Sequence, residues 1–454
     1  MSNITPNTVA QETVSTIDER RQLYANRLRA EIPASWGVLN IGDLCTIRTG
    51  KLDVNQADEG GKYPFFTCAE RIYQINTYAF DAEAVLVAGN GFFNVKYYKG
   101  KFNAYQRTYV LSDIKTYAKY LYYYVDHRLR DITGESRGST ISYIRLGDLR
   151  DYPVAVAPPD QQKYIVEEIE KQFSRLDEAV ANLKRTKANL KRYRAAVLKA
   201  AVEGKLTEDW RKQHTNGEPA SKLLERILAE RRTKWNGRGK YTEPLVPNIT
   251  KNLELPKGWR WASVEQLAGI SSGNTPKGIE GYLTPTGEVP WFKVGDMNRP
   301  GNERILRVGE SWLSRNDARE LGLRIFPPGS LVFPKRGGAI ATNKKRQLVS
   351  DACLDLNVMS ITAMSEVSAY LFMWFKSVDL ASLSDGSNVP QINHKDIAPL
   401  SVPLPPVVEQ DQIVAEVERR LSVIDELEAT VQANLTRADR LRQSILGRAF
   451  SGGM

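Results

Sequence analysis

The side chains of this chain best suited to chemistry are amides and cations grouped on glycine-broken loops. Gly89 to Arg107 (GNGFFNVKYYKGKFNAYQR) carries Asn90, Asn94 and Gln106 with Lys96, Lys99, Lys101 and Arg107, interleaved with aromatics. Arg137, Ser139 and Thr140 form a second group. Later, Lys335-Arg336-Gly337-Gly338 and Asn343-Lys344-Lys345-Arg346-Gln347 place five cations beside two amides within 13 positions; Ser387, Asn388 and Gln391 follow. Arg, Lys, Asn and Gln donate to and accept from base edges, while Lys, Arg and hydroxyl groups hold phosphate oxygens. The chemistry they suit is hydrogen-bonded recognition of a nucleic acid. An ordinary hairpin with exposed lysines accounts for the first stretch as well, and a β-hairpin for Gly337-Gly338. Tyr63, Phe65, Trp291 and Phe292 read as core aromatics rather than base-stacking groups.

No catalytic constellation competes with that chemistry. The chain has no Asn-Pro-Pro-aromatic or Asp-Pro-Pro-aromatic loop for amino-group methylation and no Gly-x-x-x-x-Gly-Lys-Ser/Thr phosphate loop. Gly89-Asn90-Gly91 is a lone Gly-x-Gly with no helix-periodic run behind it. Cys45, Cys68 and Cys353 lie far apart without metal-ligand spacing and read as reduced core thiols of a cytosolic protein. The three histidines are scattered and read as structural. No catalytic residue and no metal ligand is therefore expected.

Charge points the same way. The formal net charge is +10, with 42% apolar and 26% charged residues, ordinary for a globular protein of two or three domains. From Lys184 to Lys240 there are 17 Lys/Arg against 6 Asp/Glu, whereas Met1 to Val156 is nearly balanced at 19 against 17. One region thus carries the whole excess and suits a polyanionic partner, although a solvated helix face has the same composition. No run of 18 apolar residues suggests a membrane span, and Met1 to Gln11 lacks the apolar core of a signal peptide.

The elements that must position these loops are written twice. Ile169, Leu176, Leu183, Leu190 and Val197 recur every seven residues, with Val166, Phe173 and Val180 at the alternate apolar positions. That is the a/d seam of a coiled-coil helix over Ile165 to Gly204. Shifted by 248, the pattern returns as Val417, Ile424, Val431, Ala438 and Ile445, with Val414, Leu421 and Leu435 between. Asp177-Glu178 reappears as Asp425-Glu426, Arg192-x-Arg194 as Arg440-x-Arg442, and Leu198, Ala201 and Gly204 as Leu446, Ala449 and Gly452. A helix of about forty residues, roughly 60 Å at ~1.5 Å per residue, cannot bury such a stripe alone, but two can bury each other. Lys187, Arg194, Glu428 and Arg442 interrupt the seam and favour one register.

Before each long helix the plan also repeats. A short helix, Ser15 to Glu31 with Ser15 as cap and Ile17, Tyr24 and Leu28 on one side, runs into Glu31-Ile32-Pro33-Ala34-Ser35-Trp36. Its counterpart, Ser221 to about Trp235, leads through a Gly/Pro-rich linker to Glu254-Leu255-Pro256-Lys257-Gly258-Trp259. Strand-like runs follow in each half: Tyr63 to Thr67, Ala84 to Ala88 and Thr108 to Leu111, then Val289 to Val294, Gly329 to Phe333 and Leu356 to Ile361. A late helix follows in each, Tyr117 to Leu129 and Ser368 to Val378. Each half leaves through prolines, Pro153 to Pro159 and Pro403 to Pro406. Just upstream lie matched loops, Ser136 to Ile141 with Ile144-x-x-x-Asp148-Leu149, and Asp385 to Val389 with Ile392-x-x-x-Asp396-Ile397. The two globular regions share little identity between these flanks, so two domains of one plan should recognise two different things.

On the Pro-x-x-Trp starts, the Gly-Ser-Thr/Asn-Ile/Val loops with Pro-Pro exits, and the helix ending Arg192 to Thr207 with its copy Arg440 to Gly452, residues 30–454 resemble the specificity subunit of type I restriction–modification systems. The extension before Glu31 is the departure from that pattern. The resemblance implies an α+β fold: two mixed α/β target-recognition domains separated by two long helices in an antiparallel coiled coil, with an internal pseudo-twofold repeat. Antiparallel pairing also follows because the first helix must return the chain to begin the second domain. The expected organisation is 1–30 tail and helix, 31–157 first recognition domain, 158–206 first long helix, 207–253 short helix and linker, 254–404 second recognition domain, 405–454 second long helix.

The resemblance further implies a subunit with no catalysis of its own that reads a split, asymmetric double-stranded DNA target. Each domain would take one half-site and the helices would fix the spacer. Expected partners are two methylating (modification) subunits and motor–nuclease (restriction) subunits in the cytoplasm, with no membrane. S-adenosylmethionine, ATP and Mg are expected on those partners only. The target adenine would be flipped into a partner's pocket. The basic residues Lys184, Lys187, Lys191, Arg192 and Arg194 have two readings, along the spacer backbone or against an acidic methylating subunit. The rival readings are a protein-binding scaffold, for which DNA binding should be weak and indifferent to sequence, and an enzyme with an unfamiliar site, for which no carboxylate/His cluster is found.

Overall fold

The two long helices are longer than the heptad pattern alone requires. In the computed structural model, which describes residues 17–134, 142–215, 217–235, 239–249 and 254–454, they span Pro159–Val202 and Val407–Phe450, 44 residues each. Pro159 is the first helical residue of one, a position that needs no N–H donor and suits the fixed φ of proline. Both end in the same wrap: Lys205 N–H bonds Ala200 O at 2.9 Å around Gly204 (φ 70°), and Gly453 N–H bonds Arg448 O at 2.9 Å around Gly452 (φ 78°).

The chain forms two units, Met1–Arg185 with Val431–Met454, and Thr186–Thr430, so the unit boundary falls inside both long helices. In each unit the start of one helix lies beside the end of the other. Arg442 pairs with Asp177 in the first unit, and Arg194 pairs with Asp425 and, at 3.0 Å, with Glu428 in the second. In the second unit Glu409 meets Thr207, just past the end of the other helix, while the later Asp425 meets the earlier Arg194. In the first, beyond the Asp177–Arg442 pair, the earlier Ile169 and Ile165 share a core with the later Ile445 and Phe450, so the pairing is antiparallel in both units. Arg194, Glu428 and Arg442, read as polar interruptions of the seam, are thus ion-paired, and Arg442 also lies 4.0 Å from the Phe173 ring centroid. Ile169, Phe173, Leu190, Val197, Val417, Leu421, Ile424, Val431 and Ile445 are buried. Leu176, Val180 and Leu183 are only half-buried, because a single partner helix covers one side of a stripe.

In the first unit a six-stranded sheet runs in the order Thr46–Thr49, Thr108–Ser112, Phe80–Ala88, Val95–Ala104, Tyr63–Phe66, Tyr73–Ile75. The helix Ala118–Thr133 follows. It presents Tyr120, Leu121, Tyr124 and Val125 to a core that also holds Val85, Val87 and Leu111 of the sheet and Ile165, Ile169, Ile445 and Phe450 of the long helices. Phe450 meets Tyr120 and Tyr124 edge-on at 5.2 and 5.0 Å. The helix ends are therefore part of the domain core. The short helix Ile17–Glu31 adds buried Leu28 and half-buried Tyr24; its expected cap Ser15 lies outside the described residues.

The second unit has a five-stranded sheet, Ala268–Ser272, Val358–Ala363, Leu331–Pro334, Arg346–Leu348, Ile305–Leu306. A three-stranded one, Trp312–Leu313, Val289–Phe292, Cys353–Leu354, accompanies it. Phe292 and Trp291 are buried, as is Phe65 in the first unit. The proline-rich exits prove to be strands. Pro153–Val156 pairs antiparallel with Gly37–Asn40, and Ser401–Leu404 with Arg260–Ser263, so the way in and the way out of each domain are zipped together.

A clamp at the base of that zipper accounts for the repeated Pro-x-x-Trp. Trp36 Nε1 donates to Gln161 Oε1 at 2.9 Å, and Trp259 Nε1 to Glu409 Oε2 at 2.8 Å, each acceptor lying at the start of a long helix. The proline of each motif meets the end of the other long helix. A Cβ built on Gly204 would sit 2.7 Å from Pro256 Cγ, and one on Gly452 2.3 Å from Pro33 Cγ. Gly204→Ala and Gly452→Ala are each expected to cost about 2 kcal/mol, combining left-handed backbone strain with overpacking. Thermal unfolding should show a lowered midpoint for both, while Gly295→Ala, whose Cβ meets nothing within 4 Å, should leave it in place.

Candidate nucleic-acid interface

Both units carry the same short backbone bridge at the loops picked out by composition. In the first, Gly91 N–H bonds Ser142 O at 3.1 Å and Ile144 N–H bonds Gly89 O at 3.0 Å, so Asn90 faces Tyr143. In the second, Gly337 N–H bonds Pro390 O at 2.8 Å and Ile392 N–H bonds Lys335 O at 2.8 Å, so Arg336 faces Gln391. Gly91 (φ 68°) and Gly337 (φ 74°) turn the chain away at the same place, a conformation that suits residues lacking Cβ. Two loops far apart in sequence are thereby joined in each unit. Ile144 and Ile392, buried, anchor the second loop of each pair.

In the first unit, loop 89–94 is held by a polar knot. Cys68 Sγ donates to Asn90 Oδ1 at 3.0 Å, and Asn94 Nδ2 donates to Cys68 O at 2.9 Å. Lys96 Nζ donates to Ala69 O at 2.7 Å and also to Asn94 Oδ1. Burial holds the Lys96 ammonium below the usual lysine range, and its role is to tie the loop rather than to meet a ligand. Lys99 is exposed and pairs with Glu83 at 3.4 Å. A hydrogen bond from Tyr97 and the nearby Lys99 lower the Glu83 pKa. Lys101 is exposed over the Tyr78 ring at 4.7 Å. Gln106 and Arg107 are exposed, and the Arg107 carbonyl accepts from Gly89 N–H at 2.8 Å, which puts that turn beside the knot. Arg137, Ser139 and Thr140 lie outside the described residues.

In the second unit the cationic stretch divides. Arg336 is exposed, Lys335 Nζ reaches Ser272 Oγ at 3.1 Å, and Lys344 bonds Asn298 Oδ1. Lys345 and Arg346, expected at the interface, turn inward instead. Lys345 Nζ donates to Val378 O at 2.6 Å and Asn343 Oδ1 at 2.8 Å, 5.6 Å from the Phe375 ring centroid. The Arg346 guanidinium donates to the carbonyls of Met297 (3.1 Å), Lys345 (2.9 Å) and Asn302, as a strut between backbone segments. Gln347 donates to Gly329 O at 3.3 Å from within the sheet. Backbone carbonyls within reach of these side chains accept their donors and hold them in. Asn388 is exposed, and Ser387 Oγ donates to Asp385 Oδ1 at 2.8 Å. Asp385 also accepts from Gln391 N–H at 3.1 Å, and these bonds hold its carboxyl below the usual range.

Two residues of these sites escaped composition. Cys68 is a half-exposed loop thiol rather than a core one. Tyr143 stands opposite Asn90; laying Ser142-Tyr143-Ile144 over Pro390-Gln391-Ile392 would have matched it to Gln391. On the long helix, Lys184, Lys187, Lys191 and Arg192 are exposed, whereas Arg194 is committed to Asp425 and Glu428. Among the described residues no group of His, Cys, Asp and Glu is arranged to hold a metal ion, and no helix is long and apolar enough to cross a membrane.

Burial pushes the Lys345 pKa down to about 8, against a weaker opposing pull from Asp379. Unfolded lysine keeps its proton to about 10.5, so unfolding between those values takes up a proton and stability rises with pH. The thermal midpoint of the wild type should therefore gain on that of Lys345→Met between about pH 8 and about pH 10.5. A constant difference would place Lys345 in solvent.

Residues 33–192 and 256–437 match the type I restriction modification DNA specificity domain family. The chain is 35% identical over 431 residues to the type I restriction enzyme EcoDI specificity subunit of Escherichia coli, covering 93% of this chain and 89% of that one. To the EcoKI specificity subunit of Escherichia coli K12 it is 26% identical, over 71% of this chain and 62% of the relative. A chain from a structure describing complex assembly and conformational transition of the type I R-M system shares the fold, with a TM-score of 0.60 at 15% identity over 93% of this chain and 99% of that one. With the matched family covering both bridged loops and most of both long helices, this chain belongs to the DNA specificity subunits of type I restriction–modification systems.

Proposed function

We propose that this subunit reads a bipartite, asymmetric double-stranded DNA target, one half-site per unit, and that the paired long helices fix the number of base pairs between them. The observation that carries the reading is the bridged loop pair, built twice on the same backbone hydrogen bonds and furnished with different side chains. A frame repeated without its side chains suits two readers of one ligand class that differ in sequence. Within each site Asn90, Gln106, Arg107, Arg336, Asn388 and Gln391 are available for bases. Lys99, Lys101, Lys335 and Lys344 suit phosphates, and the exposed lysines of the first long helix suit the backbone of the spacer.

Specificity subunits are the non-catalytic members of their complexes, and catalysis belongs to other subunits. In this reading two modification subunits methylate adenine, flipped out of the duplex, and restriction subunits cut unmodified DNA. S-adenosylmethionine, ATP and Mg are then held by those partners, in the cytoplasm where the DNA is. The supporting points for this chain are its family and the ion-paired helix register.

Binding of the complex assembled with its modification subunits to randomised duplexes should enrich two short blocks separated by a gap of fixed length. Enrichment of nothing at low salt would favour the protein-binding scaffold. Inserting one heptad at equivalent turns of both helices adds ~10 Å, about three base pairs at ~3.4 Å each. The blocks should stay and the gap lengthen; an unchanged gap would remove the ruler.

A further inference from the structure

The bridge in each unit is the non-hydrogen-bonded pair of an antiparallel ladder, flanked on both sides by backbone bonds. Facing residues of such a pair have Cα atoms about 4.5 Å apart and project from one face of the ladder. Each unit therefore presents two side chains from two loops as one group: Asn90 with Tyr143, and Arg336 with Gln391. The backbone bonds, the glycine after Asn90 or Arg336 and the isoleucine after Tyr143 or Gln391 are common to both units, whereas the facing side chains differ. Changing them alters the chemistry offered without altering the frame, which is what a specificity determinant requires.

Their chemistry can be followed further. The exposed Arg336 guanidinium has no hydrogen bond or ion pair among the described residues. Its two-pronged donor geometry matches the O6 and N7 acceptors of guanine. Gln391 Nε2 donates to Asn393 Oδ1 at 2.9 Å, which commits one amide donor and leaves Oε1 as the acceptor. In the other unit the Cys68 thiol occupies one lone pair of Asn90 Oδ1. That bond fixes the direction of the amide and leaves one lone pair and the NH2 donors, the acceptor–donor set that pairs with adenine N6 and N7. Lys96, tied to Ala69 and Asn94, is a positioning residue for this group.

We propose that the bridged pairs Asn90/Tyr143 and Arg336/Gln391 determine sequence specificity, Arg336 by reading a guanine in one half-site and Asn90 by reading an adenine in the other. The inference rests on the bipartite reading above. It is tested with the complex assembled with modification subunits and a pool of randomised duplexes, comparing wild type with Arg336→Ala, Arg336→Gln, Asn90→Ala and Asn90→Asp. Arg336→Ala should abolish the preference at one guanine, a loss of about 5- to 150-fold in discrimination, with the second block unchanged. Arg336→Gln should move that position towards adenine. Asn90→Asp, similar in volume and able only to accept, should move one adenine of the other block towards cytosine. Asn90→Ala should relax the same position. Weakening equal across all sequences, with both blocks retained, would make these phosphate contacts and overturn the proposal; so would both residues acting on one block. A wild-type complex that enriches no pair of blocks would instead sink the bipartite reading, and this inference with it. Thermal unfolding separates loss of the Cys68 bond from loss of reading, because Asn90→Asp keeps an oxygen to accept from the Cys68 thiol and Asn90→Ala does not.

Discussion

Leaving a buried indole N–H unpaired costs about 1–3 kcal/mol, and the acceptors that Trp36 and Trp259 find both stand at the first turn of a long helix. Trp36 takes Gln161 and Trp259 takes Glu409. That requirement fixes where each helix begins relative to the domain that precedes it. The proline three residues before each tryptophan then receives the glycine that ends the other helix. In each unit one helix start and one helix end are thus held against the same Pro-x-x-Trp turn. The apolar stripe, the zipped strands and the bridged loops are all referred to that anchor.

The two anchors solve the electrostatics differently. Gln161 is neutral and accepts one bond from the indole. Glu409 is buried, and a buried carboxyl group needs more than the indole to offset its lost hydration. Thr207 Oγ1 at 2.7 Å and Arg211 Nε at 2.9 Å supply the rest, from the turn and short helix that follow Gly204. Arg211 also lies 5.7 Å from the Trp259 ring centroid. The carboxylate is therefore matched within its own unit by residues next in sequence to the helix end it helps to seat.

Register and energy come from different residues along the helix pair. The ion pairs Asp177–Arg442 and Asp425–Arg194 are partly exposed, and such pairs contribute about 0–1 kcal/mol each. They discriminate one alignment from its neighbours by one turn. The energy comes from the buried stripe, where full burial of an aliphatic or phenyl side chain contributes about 1.5–3 kcal/mol. A frame so determined leaves the loops at its edges free to differ, and the bridged pairs show how they do so. Backbone hydrogen bonds hold the loop ends, and inward lysine and arginine side chains such as Lys96, Lys345 and Arg346 hold the flanking segments. The exposed positions remain for the ligand.

The amino-acid sequence by itself determined the duplicated plan, because heptad spacing, the Pro-x-x-Trp turns and the terminal glycines are local patterns with local causes. It placed both long helices, the late domain helices and several strands within a few residues, but read Val95–Ala104, the longest strand among the described residues, as part of a loop. It also found the loops, because amides and cations beside glycines are conspicuous in composition. Composition could not tell Arg336, which reaches solvent, from Arg346, ten residues on in a similarly cationic stretch yet spent on three backbone carbonyls. Nor could it show that Asn90 faces Tyr143 and Arg336 faces Gln391. Those pairings join segments more than fifty residues apart, and hydrogen bonds at that separation carry no signature in either segment. Which polar side chains are spent inside and which remain for a ligand depends on where the unpaired carbonyls of the folded backbone fall, and only the tertiary structure decides that.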